Sequence, residues 1–477
     1  MVFNSATYFL FICLVFWVYW KLLREKTKTQ NVFLLAASYL FYGWWDARFL
    51  LLIIFSSLID FFLGSLLYKQ TKRKNRRFIL AFSLISNLGL LSFFKYYNFF
   101  IDSFVELSSI VGFQTNVKSL NIILPVGISF YTFQSLSYIL DIYYRRIKPT
   151  RDIIAFMAFI AFFPQLVAGP IERAKNLLPQ FQRIRIFDIN QITGGLRLIL
   201  YGLFKKMVIA DRLAFFVDAA YQSPEQHPGF VLLTATFLFG FQIYCDFSGY
   251  SDIAIGSARL LGFELMQNFR TPFFAAGIRE FWQRWHISLS TWFRDYIYIP
   301  LGGNRVTTQR WIFNILVTFT LSGIWHGAAF TYIIWGFIHG LLMVLEKQLG
   351  SIALFFRINK ISKVIMTFVV VNLCFVLFRS DTFLNAMLIY SRIFDFDFTL
   401  NNWFSPNDFI TNEYFISLII SFPVFIVFEW LTRKSDFNIF TARLTKWKRH
   451  SVYYLLLLLI VIFGVYKAAP QFIYFQF

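Results

Sequence analysis

The chain of 477 residues is 58% hydrophobic and 21% aromatic, and only 15% of its residues are charged. A soluble globule needs far more charge on its surface, so this composition excludes a soluble domain and indicates a polytopic membrane protein. The net charge of +20 would suggest a nucleic-acid partner in a soluble domain, but the Lys and Arg residues lie in short loops between apolar runs. The positive-inside rule accounts for them, and no nucleic-acid partner is predicted.

The N-terminal part of the chain predicts four membrane spans separated by short loops. A run of roughly 20 apolar residues, or fewer where packing allows, is enough to span a bilayer. The runs are 8–20, 32–44, 49–67 and 78–94. Basic residues follow the first and third runs, so both loops are predicted to be cytoplasmic and the N-terminus to lie outside. The mixed segment 96–119 is predicted to lie at the outer interface, and the run 122–144 to return to the cytoplasmic side.

A broken helix is predicted after residue 153. Pro164, Gly169 and Pro170 interrupt the apolar run IIAFMAFIAFFPQLVAGP, and a re-entrant or broken backbone inside a membrane must line protein or a water-filled cavity. The next segment, 172–211, is amphipathic and rich in Lys and Arg. We therefore expect it to lie along the cytoplasmic face without spanning the membrane.

Two carboxylates are predicted inside the membrane. The apolar run 230–261 contains YCDFSGYSD, which carries Asp246 and Asp252. Carboxylates at that depth need partners. Pairing with an arginine such as Arg259 or Arg279 is the simpler interpretation, and a proton or cation relay stays open.

The C-terminal part adds further spans. Three apolar runs each predict one span: 362–378, 414–431 and 452–466. The basic stretch before the last run predicts that the C-terminus lies outside. The whole chain is therefore predicted to be an all-α polytopic integral membrane protein, a single integral domain with about ten to twelve transmembrane helices besides re-entrant and interfacial ones.

Three of the five histidines, His286, His326 and His339, lie in the segment 279–340. Residues 279–298 predict an amphipathic helix or helix pair at the cytoplasmic interface, with His286 on its apolar side. His286 is either a packed residue bonded to a backbone carbonyl or a functional group. His339 would lie on a different helix face from His326, which disfavours a metal pair and favours packing. The three scattered cysteines offer no metal spacing, so no metal site is predicted.

His326 is the strongest functional candidate because of its predicted depth. A helix that leaves the cytoplasmic interface near Trp311 carries it about 22 Å into a core about 30 Å thick. An ionisable residue there marks a functional site by default, and burial keeps its imidazole neutral, as a general base requires. Gly323 and Gly327 would let a substrate or a neighbouring backbone approach, so close helix packing is an equally open interpretation. Ser322 lacks a nucleophile elbow and is not favoured as a nucleophile.

Several motifs together resemble the membrane-bound O-acyltransferase family. They are PVGISFYTFQSLSYILDIYYRR, FFPQLVAGPIERAKNLLPQF, YCDFSGYSDIAIG, FRTPFFAAGIREFWQRWHISLSTWFRDYIYIPLGGNR and SGIWHGAAFTYIIWG. The resemblance is strong over residues 125–346, where the WHIS and WHG motifs are specific. It is nearest to the bacterial alginate O-acetyltransferase branch, which includes peptidoglycan O-acetyltransferases and D-alanyl transfer proteins.

The resemblance implies an acyltransferase of the bacterial inner membrane. His326 corresponds to the family's essential histidine, and His286 to its second position, where it would orient the thioester or stabilise developing charge. The implied division is peripheral helices in 1–120, a catalytic core in 121–347 and C-terminal helices in 348–477. Substrate or tunnel contacts are expected from five further residues: Trp285, Trp325, Ser322, Asp246 and Arg294.

The resemblance also implies the reaction partners. Acetyl-CoA is the expected donor, met from the cytoplasm, with a carrier-protein thioester as the alternative and no bound cofactor. The acyl group would pass through a central tunnel to an extracytoplasmic polysaccharide, alginate-like or peptidoglycan, with the help of a periplasmic or extracellular acetyltransferase-like or esterase-like protein.

Three alternatives stay open at this point. The first is transfer of D-alanyl or another acyl group to a cell-surface polymer. The second is a transporter of a polysaccharide precursor that uses Asp246 and Asp252 for ion coupling. The third is a non-catalytic scaffold, in which His326 would be replaceable.

Overall fold

The computed structural model describes residues 1–113, 115, 117, 119–167, 169–350, 359–395, 412–466 and 470–473. All regular structure in these residues is helical, which confirms the all-α fold class. The chain forms two compact units, one made of Met1–Thr193 and Ser257–Met266 and the other of Gly194–Gly256 and Gln267–Phe477. The divisions expected after residues 120 and 347 stay a prediction.

The first unit contains the N-terminal helices. They are α1 (Ala6–Trp17), α2 (Thr27–Asp46), α3 (Leu50–Lys69), α4 (Arg73–Ile110), α5 (Ile128–Tyr143), α6 (Ile153–Ala161), α7 (Phe163–Leu166) and α8 (Ala174–Gln182). The predicted interruption is confirmed, because α6 ends at Ala161 and Pro164 lies in the first turn of the four-residue α7.

Helix α4 is longer than the sequence pattern predicts. Residues 96–110, expected as a separate interfacial segment, continue α4 to a length of 38 residues, or about 57 Å at 1.5 Å per residue. No Gly or Pro interrupts the chain between Gly89 and Gly112, and Gly112 adopts a positive φ of 89° just beyond the helix end. The remainder of the expected segment includes Gln114, Asn116 and Lys118, which lie outside the described residues.

A buried carboxylate joins three helices of the first unit. Asp60 on α3 accepts hydrogen bonds from Ser83 Oγ (2.6 Å) and Asn87 Nδ2 (2.8 Å) on α4, and from Ser135 Oγ on α5. Polar groups in an apolar core are stable only when they are bonded. These bonds therefore hold α3, α4 and α5 together at the position of Asp60.

The second unit begins within α9 and holds most of the remaining helices. They are α9 (Ile189–Leu203), α10 (Asp211–Gln222), α11 (Gly229–Leu260), α12 (Ile278–Arg284), α13 (Ile287–Phe293), α14 (Thr308–His326), α15 (Phe330–Leu349), α16 (Lys360–Arg379), α17 (Phe383–Phe394), α18 (Asn412–Thr432), α19 (Phe437–Arg443) and α20 (Lys446–Phe463). Two π-helical turns, Phe204–Ala210 and Arg294–Tyr298, follow α9 and α13.

Five helical stretches of the described chain are long and apolar enough to cross a membrane. They are Thr27–Lys69, Arg73–Ile110, Gly229–Leu260, Phe330–Leu349 and Lys360–Arg379. A sixth results if Ile416–Thr432 and Phe437–Arg443, bent by 83°, count as one span. The first stretch contains both α2 and α3, with 20 residues each, and shorter apolar helices occur as well. The chain is therefore a multi-pass membrane protein, and the total of ten to twelve spans stays a prediction.

Helices α14 and α15 pack backbone against backbone through glycines. A Cβ atom at Gly323 would collide with the carbonyl oxygen of Tyr332 and would lie 3.2 Å from Cα of Gly336. Of the two roles expected for Gly323, close approach of a neighbouring backbone is therefore the one observed. The contact lies one turn before the end of α14, whose last residue is His326.

We expect Gly323→Ala to destabilise the protein, because an added methyl group in a filled contact forces backbone shifts that cost about 1–3 kcal/mol. The midpoint temperature of unfolding in detergent should fall. Gly89→Ala on α4 is the matched control, since its Cβ would meet no atom within 4 Å. Equal midpoints for the two variants would contradict the packing argument.

Candidate active site

His326 lies at the C-terminal end of α14 and is only 2% exposed. Its imidazole is surrounded by aromatic rings, with centroid distances of 5.1 Å to Trp325, 5.1 Å to Trp335 and 5.3 Å to Phe378. Gly327 is extended, so the helix stops there and the chain turns into α15. The ring is therefore held at a helix end inside the unit.

His286 joins α12 to α13 in a left-handed backbone conformation, with φ 43° and ψ 53°. The helix pair predicted for 279–298 is confirmed, and the break between its members falls at Trp285 and His286. His286 is fully buried. Its Nδ1 atom lies 3.1 Å from Oδ1 of Asn268, which is a side-chain oxygen and not the backbone carbonyl of the packing interpretation.

The structure brings the two histidines together although they are far apart in sequence. Their ring centroids are 6.4 Å apart, and Trp325 contacts both, at 6.0 Å from His286 and 5.1 Å from His326. The ring of Phe247 on α11 packs against His286 at 4.7 Å. We call these residues, with their aromatic neighbours, the histidine cluster: His286, His326, Trp325, Trp335, Phe247 and Phe378.

The other predicted site residues lie at different distances from this cluster. Trp285 is buried beside it and stacks on Phe281 at 5.4 Å. Ser322 is buried one turn before His326 on α14. Arg294 is 58% exposed and forms an ion pair of 2.8 Å with its neighbour Asp295, so the structure does not bring its guanidinium into the cluster.

His339 has the packing environment that the sequence suggested. It is buried on α15, and Trp282 Nε1 donates to its Nδ1 at 3.3 Å. The ring of Trp335 lies between two histidines, 4.8 Å from His339 and 5.1 Å from His326. His339 thus supports the indole that forms one wall around His326.

Asp246 has a partner that the sequence did not indicate. The predicted pairing with Arg259 or Arg279 is wrong, because Asp246 forms a 2.7 Å ion pair with Lys206 and accepts from the backbone N–H of Ile473 at 2.8 Å. Lys206 also pairs with Asp211 at 2.7 Å. Lys205 and Lys206 belong to the segment 172–211 that was expected along the cytoplasmic face, and both are buried in the π-helical turn after α9.

The charges around Lys206 stabilise each other. Burial lowers the pKa of Lys206, but the carboxylates of Asp246 and Asp211 outweigh burial and raise that pKa above its usual range. Burial raises the pKa of Asp211 to about 7, although Lys206 opposes the shift. The ammonium group therefore stays charged while two carboxylates compete for it.

A second buried lysine lies next to the first. Lys205 pairs with Asp252 at 2.5 Å and donates to Ser248 Oγ at 3.0 Å. Glu429 on α18 accepts from Tyr201 (3.0 Å) and from Tyr244 (2.7 Å). We call these charged residues the lysine network: Lys205, Lys206, Asp211, Asp246, Asp252 and Glu429. The ring of Tyr244 lies 6.1 Å from Trp285, so this network adjoins the aromatic layer around the histidines.

Asn268 is the residue that sequence reasoning missed. It is buried, and its side-chain oxygen is within bonding distance of both His286 and Ser288. Within the part of the chain that the structure describes, no three His, Cys, Asp or Glu side chains are grouped to hold a metal ion. The arrangement provides two buried imidazoles in an apolar setting, which suits proton transfer to or from a reacting group.

The chain belongs to the membrane-bound O-acyltransferase family. The family model described as MBOAT, membrane-bound O-acyltransferase family, matches residues 3–388, and the protein is accordingly an acyltransferase. That match contains both histidines and most of the lysine network.

The relatives are acyl-transfer proteins of bacteria. A Pseudomonas aeruginosa protein named "Probable alginate O-acetylase AlgI" is 41% identical over 400 residues, which cover 83% of this chain and 75% of that one. The peptidoglycan O-acetyltransferase of Helicobacter pylori is 33% identical over 75% of this chain and 72% of its own. The teichoic acid D-alanyltransferase of Bacillus subtilis is 30% identical over 47% of this chain and 59% of its own.

Proposed function

We propose that this acyltransferase O-acetylates an extracytoplasmic polysaccharide, alginate-like or peptidoglycan, with acetyl-CoA as the donor. The observation that carries the proposal is the meeting of His286 and His326 in one buried cluster, with ring centroids 6.4 Å apart. The names of the relatives support the acetyl group and the class of acceptor.

The two histidines have different roles in the transfer. In the transfer the thioester C–S bond breaks, a C–O bond forms to the polysaccharide hydroxyl, and the hydroxyl proton must leave. His326 takes that proton as the general base, and the thiolate leaving group is protonated in turn. His286 contacts the same indole, Trp325, and orients the reacting group. A water-poor aromatic setting strengthens these interactions and protects the thioester from hydrolysis.

The membrane arrangement completes the proposal. The donor enters from the cytoplasm, both termini lie outside, and a central tunnel lined by residues such as Trp285, Trp325 and Ser322 leads to the acceptor. The protein resides in the bacterial inner membrane and works with an extracytoplasmic acetyltransferase-like or esterase-like protein. Asp246 serves this arrangement as a fixed partner of Lys206 and not as a mobile tunnel group.

D-alanyl transfer from a carrier-protein thioester is the second candidate. The D-alanyltransferase relative supports it, but over less than half of the chain, whereas the acetylase relative matches over 83%. A transporter that uses Asp246 and Asp252 for ion coupling is not favoured, because each carboxylate forms an ion pair with a buried lysine.

Acetate analysis of surface polymers tests the proposal. A strain lacking this protein should lose alkali-labile acetate from its surface polysaccharide and regain it when the full chain is supplied. Purified protein in liposomes should also consume [14C]acetyl-CoA. Loss of polymer D-alanine with unchanged acetate would replace the acetyl proposal with the second candidate, and unchanged acetate and D-alanine would contradict both.

A further inference from the structure

Asn268 bonds at two points to the turn that carries His286. The backbone oxygen of Asn268 accepts from Ile287 N at 2.9 Å, and its side-chain oxygen accepts from Ser288 N at 3.2 Å. A non-glycine residue in the left-handed region is strained and persists only where its surroundings impose that conformation. Asn268 therefore determines both the path of the backbone at His286 and the surroundings of its ring.

The hydrogen bonds identify the atom that faces the imidazole. A backbone N–H can only donate, so the Asn268 side-chain atom that meets Ser288 N is the oxygen and not the nitrogen. The amide nitrogen of Asn268 points the other way and donates to Ser251 Oγ at 3.3 Å. The same oxygen lies 3.1 Å from Nδ1 of His286.

The hydroxyl of Ser288 is the second neighbour of Nδ1. This hydroxyl lies 2.9 Å from the Asn268 oxygen and 3.5 Å from Nδ1 of His286. A hydroxyl has one proton, and the amide oxygen cannot donate, so the Ser288 proton points to Asn268. Both neighbours of Nδ1 are therefore acceptors, and Nδ1 must carry the hydrogen.

The proton on Nδ1 determines which hydrogen bonds the other ring nitrogen, Nε2, can form. His286 lies between α12 and α13, outside the long apolar spans, and burial lowers the pKa of its imidazole to about 3. The ring is neutral at physiological pH, so a proton on Nδ1 leaves a lone pair on Nε2. At Nε2 the neutral ring can therefore accept a hydrogen bond, but it cannot donate one to a thioester carbonyl or to a developing oxyanion, the two groups that His286 was expected to contact.

We propose that Asn268 is a positioning residue, which holds His286 as the Nδ1–H tautomer so that Nε2 accepts a hydrogen bond from the reacting hydroxyl or thiol. This inference rests on the proposed function for the identity of the reacting group. The tautomer itself does not depend on it. Asn268 touches no reacting atom and acts through His286 alone.

Nitrogen NMR measures the tautomer directly. In the full chain labelled with [15N]histidine, long-range 1H–15N correlations distinguish Nδ1–H from Nε2–H, and His286→Gln assigns the signal. We expect Nδ1–H in the wild type and in Asn268→Asp, whose carboxylate still accepts. Asn268→Leu removes the acceptor, and the signal should become a mixture of tautomers. A proton on Nε2 in the wild type would overturn the proposal.

Kinetics with [14C]acetyl-CoA test the consequence for catalysis. Asn268→Leu should lower kcat by about 10²-fold or more with little change in KM, as loss of a tautomer-fixing partner does elsewhere. Asn268→Asp should retain activity within about tenfold and shift the acidic limb of the pH profile upward, because a carboxylate favours the protonated ring. An unchanged kcat in Asn268→Leu would also overturn the proposal.

A matched control separates this effect from damage to the fold. Asn372 is another fully buried asparagine of the same unit, and its side chain bonds to the Phe368 carbonyl at 2.7 Å. Asn372→Leu should leave the His286 tautomer and the pH profile unchanged. If Asn268→Leu does not fold, the wild-type spectrum still shows which nitrogen of His286 carries the proton, and the pH profile of Asn268→Asp still tests the role of Asn268. A wild type that transfers no acetyl group contradicts the proposed function, while the spectrum still decides the tautomer.

Discussion

Replacing His326 with alanine is expected to abolish acyl transfer. A positioned general base contributes about 10²- to 10⁴-fold to a rate, and an imidazole enclosed by Trp325, Trp335 and Phe378 leaves little room for water to replace it. In a deletion strain that carries His326→Ala, polymer acetate should therefore fall to the level of the deletion strain without any copy of the protein. The amount of the variant in the membrane should equal that of the wild type.

Two further variants test whether the loss of acetylation is specific to the imidazole of His326. His326→Gln keeps much of the side-chain volume and should be as inactive as His326→Ala, because an amide does not take up a proton. His450 lies on α20 and bonds to the Lys446 carbonyl of its own helix, so His450→Ala should keep full acetylation. Retention of a tenth or more of wild-type acetate by His326→Ala or His326→Gln, at equal protein level, would show that His326 is not the general base.

The second large effect concerns Lys206. Replacing it with methionine keeps most of the length of the side chain but leaves Asp211 and Asp246 buried without their counter-charge. Removing one partner of a buried ion pair costs about 3–5 kcal/mol. We expect Lys206→Met to lower the midpoint temperature of unfolding in detergent strongly and to reduce the amount of protein in membranes.

A compensating triple variant and a control variant test whether the unpaired carboxylates cause the loss of stability. The triple variant Lys206→Met, Asp211→Asn and Asp246→Asn removes the buried charges together and should recover most of the lost stability. Arg48→Ala breaks an exposed pair, since Arg48 is 74% exposed and lies 2.6 Å from Asp46, and should leave the midpoint almost unchanged because solvent screens exposed pairs. A Lys206→Met midpoint equal to that of Arg48→Ala would show that the buried pairs do not stabilise the unit.

Local patterns predict much of the fold and part of the site. Apolar length identifies the membrane helices, and Pro164 indicates the break between α6 and α7. His326 is buried at the end of α14, and its depth in the membrane stays a prediction. These features depend on residues near each other in sequence, where periodicity and steric rules act.

Long-range pairs were not predictable from one sequence. Lys206 meets Asp246 across 40 residues of sequence, and Glu429 meets Tyr244 across 185. A basic residue after an amphipathic helix is usually solvated, so nothing local indicated that Lys206 is buried. Asn268 is a single polar residue before an aromatic segment, and its role follows only from the turn that it contacts at His286. Burial and partners decide such roles, and both are properties of the folded chain.

The most direct test of the central claim follows the acyl group across the membrane. Inverted inner-membrane vesicles expose the cytoplasmic face, and [14C]acetyl-CoA supplied outside them cannot cross the bilayer unaided. With the wild-type chain, label should appear as alkali-labile acetate on polysaccharide inside the vesicles, and His326→Ala vesicles should show none. Consumption of the thioester without labelled carbohydrate, or equal labelling in both vesicle preparations, would contradict the account.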